Sequence, residues 1–230
     1  MSDSTRTHSS SLLWVLTALT VVSGLNDAVS YLGLGRVFTA NMTGNIVVLG
    51  FATAGAPGFS VLATLTSLAL FLVGAAAAGQ LARRLPSHRT LFQLALALET
   101  VFTAAAATVA GLGPSIGSGW QRYTMIALLG FAMGIRNSVV RRLAVPDVTT
   151  TVLTMTLTGL ATDSAFDHRT HPHAGRRLAA VLSMFVGAVV GAVLLRHVDA
   201  TLPLAISSGI VAVAAVVMWR RPAAELDPPP

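Results

Sequence analysis

Apolar residues of this chain come in long runs, and short polar or glycine-containing breaks separate the runs. A run of about 20 apolar residues is long enough to cross a bilayer core of roughly 30 Å as a helix. The pattern predicts six such spans, at 12–34, 59–81, 90–112, 120–140, 178–195 and 202–219. Two shorter segments, 39–54 and 148–162, begin with polar residues and are marginal for a full span.

Composition agrees with this pattern. Hydrophobic residues make up 53% of the chain and charged residues only 10%, whereas a soluble domain carries about 25% charged residues. We therefore predict an all-α polytopic membrane protein with six full spans plus two short or re-entrant helices. The polar residues 1–11 are predicted to form a disordered tail, and the proline-rich residues 222–230 a second tail.

The charge of the chain indicates its orientation. The fifteen basic residues are all arginine, give a net charge of +6, and lie mainly at the ends of apolar runs. If six segments cross, twelve arginines fall on the side of the termini and three, at 36, 122 and 196, on the other; if eight cross, the split is eight to seven. Since positive residues mark cytoplasmic loops, we favour six spans with both termini in the cytoplasm. Because the arginines lie at the ends of spans, where they orient a membrane protein, the positive charge does not indicate a nucleic-acid partner.

The eight segments form two sets of four with one shared order: a long helix with a polar tip, a break, a short polar helix and two plain helices. Alignment pairs Gly24, Asn26 and Asp27 with Gly134, Arg136 and Asn137, Thr39 and Thr43 with Thr150 and Thr154, and Gly74 with Gly187. We predict repeats at 12–112 and 120–221, joined by a linker at 113–119. Three full spans per repeat is an odd number, so the copies are inverted, an arrangement that places a binding site near the bilayer midplane.

Ionisable residues inside the predicted spans are the first candidates for function, because a charge at that depth is costly unless it is paired or neutralised. Asp27 suits a proton carrier or a cation ligand, and the alternative is a structural hydrogen bond to a neighbouring helix. Arg136 either meets Asp27 across the repeat axis or extends towards the interface beside Arg141. Glu99 is either a second proton site or the partner of an arginine.

Polar residues at the tips of the short segments complete the candidate site. Their side chains and the free N–H groups of a helix start would receive a polar or anionic group; threonine hydroxyls bonded to their own helix are the alternative. The predicted substrate-binding set is Asn26, Asp27, Asn41, Thr43, Asn45, Arg136, Asn137, Thr150 and Thr154, with Asp27 and Glu99 as the proton-coupling pair.

Other chemistry finds little support. Cysteine is absent, which excludes disulfides and thiolate metal sites, and no nucleophile–base pair, phosphate loop or zinc-helix motif is present. The loop histidines His168, His171 and His173 are interpreted as solvated, so neither a metal nor a cofactor is predicted. The small residues Gly74, Ala78, Gly187 and Gly191 are predicted to allow close helix packing.

One stretch carries a family resemblance. Residues 24–50, GLNDAVSYLGLGRVFTANMTGNIVVLG, resemble the opening signature of the YoaK-type family of bacterial integral membrane proteins, which carry a domain of unknown function. The second signature is present in altered form as GIRNSVVRRLAVPDVTTTVLTMTLTG, with Arg136 where the family commonly has glutamine. The resemblance covers about residues 12–220 and implies a polytopic protein of the bacterial inner (plasma) membrane.

These features favour a transporter or channel for a small polar or anionic solute, with a polar site between two repeats in the lipid bilayer. The alternative is a membrane-embedded enzyme or an assembly factor that acts on a lipid or protein partner. The sequence favours a protein without enzymatic activity, and it is compatible with a homo-oligomer.

Overall fold

The computed structural model describes residues 10–85, 87–113, 119–143, 158 and 174–221. These residues form an all-α protein, as predicted, with no strand among them. The helices are α1 (Ser10–Gly33), α2 (Met42–Thr53), α3 (Val61–Arg84), α4 (His88–Gly111), α5 (Gly119–Leu143), α6 (Ala174–His197) and α7 (Thr201–Arg220). Of the predicted segment 148–162, all but residue 158 lies outside this part of the chain.

Six of these helices are long and apolar enough to cross a membrane, and α2 is shorter. This confirms six spans plus a short helix in the first half of the chain. Side-chain caps begin several helices: Asn41, Ser60 and Ser87 accept hydrogen bonds from backbone N–H groups in the first turns of α2, α3 and α4. Such caps satisfy donors that the helix itself leaves free, so the sequence determines locally where these helices start.

The helices alternate in direction between two ends of the bundle. At one end Arg89, early in α4, donates to the carbonyl of Trp219 at 3.0 Å, late in α7. At the other end Arg122, early in α5, donates to the carbonyl of Leu34 at 2.8 Å, just after α1. The first is called the arginine-rich end, because α3, α5 and α7 finish there with arginines in or beside their last turns.

Two pairs of helices cross at glycines and approach each other closely. A Cβ atom added to Gly134 of α5 would lie 2.1 Å from the Phe71 carbonyl oxygen of α3, and one added to Gly74 would lie 2.2 Å from that of Phe131. In the second pair, α1 and α6, a Cβ on Gly187 would lie 2.1 Å from the Val21 carbonyl oxygen. Only glycine allows backbones this close, which confirms the packing predicted for Gly74 and Gly187.

The interior of the bundle lies around α1, α4 and α5. Large apolar side chains such as Leu16, Phe92, Leu96 and Met133 are fully buried there. The outer faces are apolar too: Leu72, Phe185 and Val213 are each more than 60% exposed. Apolar side chains are compatible with the hydrocarbon core of a bilayer, so their exposure on the outer faces fits a protein that is surrounded by lipid.

Candidate functional site

Asp27 of α1 holds the chain segment that leads into α2. Its Oδ1 atom accepts hydrogen bonds from the backbone N–H groups of Thr39 and Ala40, at 2.9 and 2.8 Å, and a longer one from the Thr39 hydroxyl at 3.4 Å. Asp27 lies six residues, about 9 Å, before the end of α1. Helix α1 therefore ends at Gly33, and the chain turns back to the depth of Asp27 before α2 begins.

The return of the chain requires an unusual turn. Gly35 has φ +90°, and Arg36 is a non-glycine residue with φ +58°, in the left-handed region. The Arg36 guanidinium lies 5.1 Å from the ring centre of Phe59. With twelve residues, α2 is about 18 Å long, too short for a bilayer core of roughly 30 Å. We conclude that α2 starts inside the bundle and does not cross the whole bilayer core.

Asn45 fixes α2 against α3. Its side chain accepts from the backbone N–H of Phe38 at 2.8 Å and donates to the Phe38 carbonyl at 2.7 Å and to the Ser67 hydroxyl of α3 at 3.2 Å. Ser67 also donates to the Phe38 carbonyl at 2.6 Å. Asn45 and Ser67 are fully buried, so their hydrogen bonds satisfy backbone groups that the break in the helix would leave free.

The other polar residues near the start of α2 do not contribute to this buried arrangement. Asn41 and Thr43 are exposed, and the Asn41 side chain accepts from the Gly44 N–H at 3.1 Å, which caps α2. Thr150 and Thr154 lie outside the described residues. The structure thus brings Asp27 and Asn45 to the two sides of the re-entrant turn, while Asn41 and Thr43 face outwards.

Arg136 of α5 forms a buried ion pair with Glu99 of α4. Its Nη1 atom lies 2.9 Å from the Glu99 carboxylate, and the two side chains are 2% and 0% exposed. Arg136 also donates to the Leu19 carbonyl at 3.1 Å and to the Ser23 hydroxyl, both in α1. The predicted alternative in which Arg136 extends to the interface is therefore wrong, because three buried acceptors hold its guanidinium inside.

The interpretation of Glu99 as the partner of an arginine is confirmed, and Arg136 does not pair directly with Asp27. Asn137, the next residue of α5, is half-buried. Asn26 of α1 is fully buried, and its Oδ1 atom accepts from the Ser207 hydroxyl of α7 at 2.8 Å.

Together these side chains form a buried polar cluster at the centre of the bundle. Four of its atoms have no hydrogen-bond partner among the described residues: Asn26 Nδ2, Asp27 Oδ2, Glu99 Oε2 and Thr103 Oγ1. Buried polar atoms in proteins are almost always paired, so each of these four atoms calls for a partner beyond the described residues. The buried polar cluster consists of Ser23, Asn26, Asp27, Glu99, Thr103, Arg136 and Ser207.

A family model described as a protein of unknown function (DUF1275) matches residues 15–217 of the chain. The protein belongs to this family. It is also similar to the UPF0700 transmembrane protein YoaK of Bacillus subtilis (strain 168), with 33% identity over 153 residues. The aligned part covers 65% of this chain and 65% of that relative. No solved structure matches the chain significantly.

The family assignment confirms the YoaK-type resemblance, and with the six apolar helices it identifies an integral, multi-pass membrane protein. The buried polar cluster of this DUF1275 protein holds two carboxylates and one guanidinium. Such a set can exchange a proton or bind a small hydrogen-bonding group or cation. No group of three or more metal-binding side chains occurs within the described ranges, and the three loop histidines lie outside them.

Four buried polar residues were not predicted from the sequence: Ser23, Thr103 and Ser207 of the buried polar cluster, and Ser67, which contacts Asn45. Ser23 could have been found, since it precedes Asp27 by one helical turn and shares its face. Thr103 similarly follows Glu99 by four residues. Ser67 and Ser207 offered no such signal, because each lies in an apolar run and acquires its polar partner only through tertiary packing.

Proposed function

We propose that this DUF1275 protein is a small-solute transporter or channel whose pathway passes the buried polar cluster. The observation that supports it best is a buried ion pair together with four buried polar atoms that find no partner among the described residues of the membrane-spanning helices. Polar groups at such depth are costly and usually mark a substrate or ion pathway. A purely structural cluster would satisfy its own hydrogen-bonding atoms.

The depth of the cluster favours a pathway over the alternative of an enzyme or assembly factor that acts on a lipid or protein partner. Glu99 lies near the middle of α4, with about equal lengths of helix on either side. A lipid-modifying site would need its polar groups close to one interface, with access from the side. Glu99 and Arg136 are instead enclosed by α1, α4 and α5.

The predicted inverted repeat remains part of this proposal. Two observations support it: the glycine crossing of α3 with α5 recurs between α1 and α6 at the aligned positions, and α2 starts inside the bundle. The first helix of each predicted set also contacts the last helix of the other, through Asn26–Ser207 and Arg136–Glu99. For the segment 148–162, which lies outside the described residues except at position 158, entry from the opposite face stays a prediction.

The charge of the cluster narrows the solute class. Two carboxylates face one guanidinium, so a proton or a small cation would balance the charge, and a neutral polar solute fits better than an anion. Asp27 is the proposed proton carrier, because its Oδ2 atom has no partner in the described part of the chain, while its Oδ1 atom holds the segment before α2. Glu99, the second residue proposed for coupling, already has Arg136 as a partner.

The proposed orientation places the arginine-rich end in the cytoplasm of a bacterial cell, with both termini on that side of the inner membrane. The observation that supports it is the excess of arginine at the ends of α3, α5 and α7. Positive residues are enriched in cytoplasmic segments. Single cysteines at positions 36 and 84 should react with an impermeant reagent from opposite sides of the membrane.

The test is proton and solute movement through the purified full chain in liposomes. Candidate solutes come from a thermal-shift screen against small metabolites and ions, since a ligand that binds the folded state raises its apparent stability. Liposomes loaded with a pH-sensitive dye then report proton entry driven by a potassium diffusion potential, with and without each solute. We expect solute-dependent proton entry that protein-free liposomes do not show.

Asp27→Asn should abolish this proton entry, because the amide keeps an Oδ1 acceptor for Thr39 and Ala40 and cannot carry the proton. Asp199→Asn is the matched control: the exposed Asp199 also accepts two backbone N–H bonds, from Thr201 and Leu202 at 2.8 and 3.1 Å. Unchanged entry in Asp27→Asn would remove Asp27 from the mechanism. No solute-dependent flux with any ligand that binds would overturn the transporter proposal.

A further inference from the structure

A groove runs along the outer surface between α1 and α7 and ends at an arginine. It has a volume of about 600 Å³, within the range of pockets that hold small molecules. Its lining is apolar except at one end. The residues that matter here are Trp14 and Ala18 of α1, and Gly209, Val213 and Val217 of α7 with Arg221 beyond it.

This α1/α7 groove faces the membrane. Trp14 is 74% and Val213 is 64% exposed, and both helices are membrane-spanning. The α7 part of the lining extends from residue 206 to residue 221, about 22 Å along a helix axis. That length exceeds half of the roughly 30 Å hydrocarbon core, so the groove is long enough for an acyl chain of one leaflet.

Positive charge collects at the arginine-rich end of the groove. Arg220 and Arg221 are exposed at the end of α7, and Arg89 of α4 donates to the carbonyls of Trp219 and Arg221. The exposed Trp219 lies beside these arginines, and Trp14 lies within the groove itself. Tryptophan prefers the headgroup level of a membrane, so the arginines are at the depth of lipid phosphates.

We propose that the α1/α7 groove binds an anionic phospholipid, with an acyl chain along Gly209, Val213 and Val217 and the phosphate at Arg221. The arginines at the groove end match an anionic headgroup, and the apolar length of the groove matches an acyl chain. This site is separate from the buried polar cluster and does not depend on the proposed transport function.

A second copy of the chain is a poorer match for the same groove. Two copies side by side in a membrane are related by an axis along the membrane normal, which places the same residues of both copies at the same depth. Arg220 and Arg221 of each copy would then approach those of the other. Like charges at short distance oppose such a contact, whereas an anionic headgroup neutralises them.

The test is lipid retention by the purified full chain in native mass spectrometry, with phosphatidylglycerol and phosphatidylcholine of the same acyl chains. We expect the protein to retain phosphatidylglycerol preferentially. Arg221→Gln should lower that retention about fivefold, the effect of removing one cation at an anionic surface. Arg196→Gln is the matched control, because Arg196 is an exposed arginine at the opposite end, and its loss should leave retention unchanged.

A second pair of variants tests the acyl-chain part. A Cβ added to Gly209 meets no atom of the described residues within 4 Å, and Gly209 lines the groove, so Gly209→Leu should place its side chain in the groove and lower retention of both lipids. Gly79→Leu in α3 is the control, since Gly79 is also unobstructed and lies outside the groove. Equal retention of the two lipids by the unmodified protein would overturn the proposal. So would equal loss in Arg221→Gln and Arg196→Gln, or a dimer that only Gly209→Leu dissociates.

Discussion

The contacts Asn26–Ser207 and Arg136–Glu99 occupy matching places in the molecule and differ in charge. Asn26 and Arg136 are aligned in the sequence, each lies next to a glycine crossing, and each reaches across to a helix of the other half. The first contact is one hydrogen bond between neutral groups. The second is a buried ion pair with two further acceptors in α1.

This difference shows how each half of the molecule meets the cost of its buried charge. The first half holds two buried carboxylates. Glu99 belongs to the charged contact itself, and Asp27 accepts hydrogen bonds from backbone N–H groups of the nearby residues Thr39 and Ala40. In the second half the charge belongs to Arg136, whose partners are distant in sequence. The first arrangement is local and holds a loop, whereas the second ties α1, α4 and α5 together.

The largest effect should follow from breaking the charged contact. Arg136→Ala leaves Glu99 buried without its partner, and loss of one member of a buried pair costs about 3–5 kcal/mol. Unfolding of the detergent-purified protein in mixed micelles measures this change. We expect a protein that expresses poorly or unfolds at much lower denaturant content than the unmodified chain.

The matched control removes both charges. Arg136→Met combined with Glu99→Leu eliminates the uncompensated carboxylate, so the double variant should be more stable than Arg136→Ala. Replacement of a buried pair by apolar residues is often neutral or stabilising. A double variant as unstable as the single one would show that the hydrogen bonds to Leu19 and Ser23 matter more than the ion pair.

The next largest effect concerns the local charge. Asp27→Ala removes the acceptor for Thr39 and Ala40 and leaves two buried N–H groups without partners, a cost of about 3 kcal/mol. Asp27→Asn keeps an acceptor oxygen and should therefore lose clearly less stability than Asp27→Ala. Amide hydrogen exchange at residues 38–41 reports the change directly, because the loop should open in Asp27→Ala and stay protected in Asp27→Asn. Protection that survives in Asp27→Ala would contradict the proposed role of Asp27 in holding this loop.

Most of the fold could be predicted from the sequence, because membrane spans follow from run length and composition. The six spans and the short helix after Gly33 and Gly35 were of this kind. The turn that brings residues 39 and 40 back to Asp27 was not predictable in detail. Its left-handed Arg36 is a non-glycine residue, and only tertiary contacts such as the one with Phe59 explain why the chain adopts it.

The charged residues of the candidate site could be predicted, because a charge inside a membrane is costly and therefore conspicuous in the sequence. Their partners were harder to predict. Asp27, Glu99 and Arg136 stand out because each places a charge in an apolar run. Which of them pair depends on how the helices rotate against one another in the packed bundle. Asn41 and Thr43 looked equivalent to Asn45 in sequence, yet only Asn45 turns inwards.

A smaller effect should test whether the two halves pack alike. Gly134→Ala and Gly24→Ala each place a methyl group within about 2.3 Å of a backbone oxygen, Phe71 in one crossing and Met184 in the other. Overpacking of this kind costs typically about 2 kcal/mol, and the two variants should be similarly destabilised in the same unfolding assay. Gly79→Ala, where the added methyl group meets no atom of the described residues within 4 Å, should be neutral. A large loss in only one crossing would break the comparison between the halves.

The smallest effect belongs to the neutral contact. Ser207→Ala removes the hydroxyl that donates to Asn26, and hydrogen bonds between membrane helices are worth about 0.6 kcal/mol on average. Because Asn26 Nδ2 has no partner among the residues that the structure describes, the loss allows the whole amide to turn towards another group of the buried polar cluster. The unfolding assay should therefore detect a change several times smaller than that of Arg136→Ala. A loss as large as that of Arg136→Ala would mean that the neutral contact stabilises the helices as strongly as the charged one, and the distinction between the two halves would no longer hold.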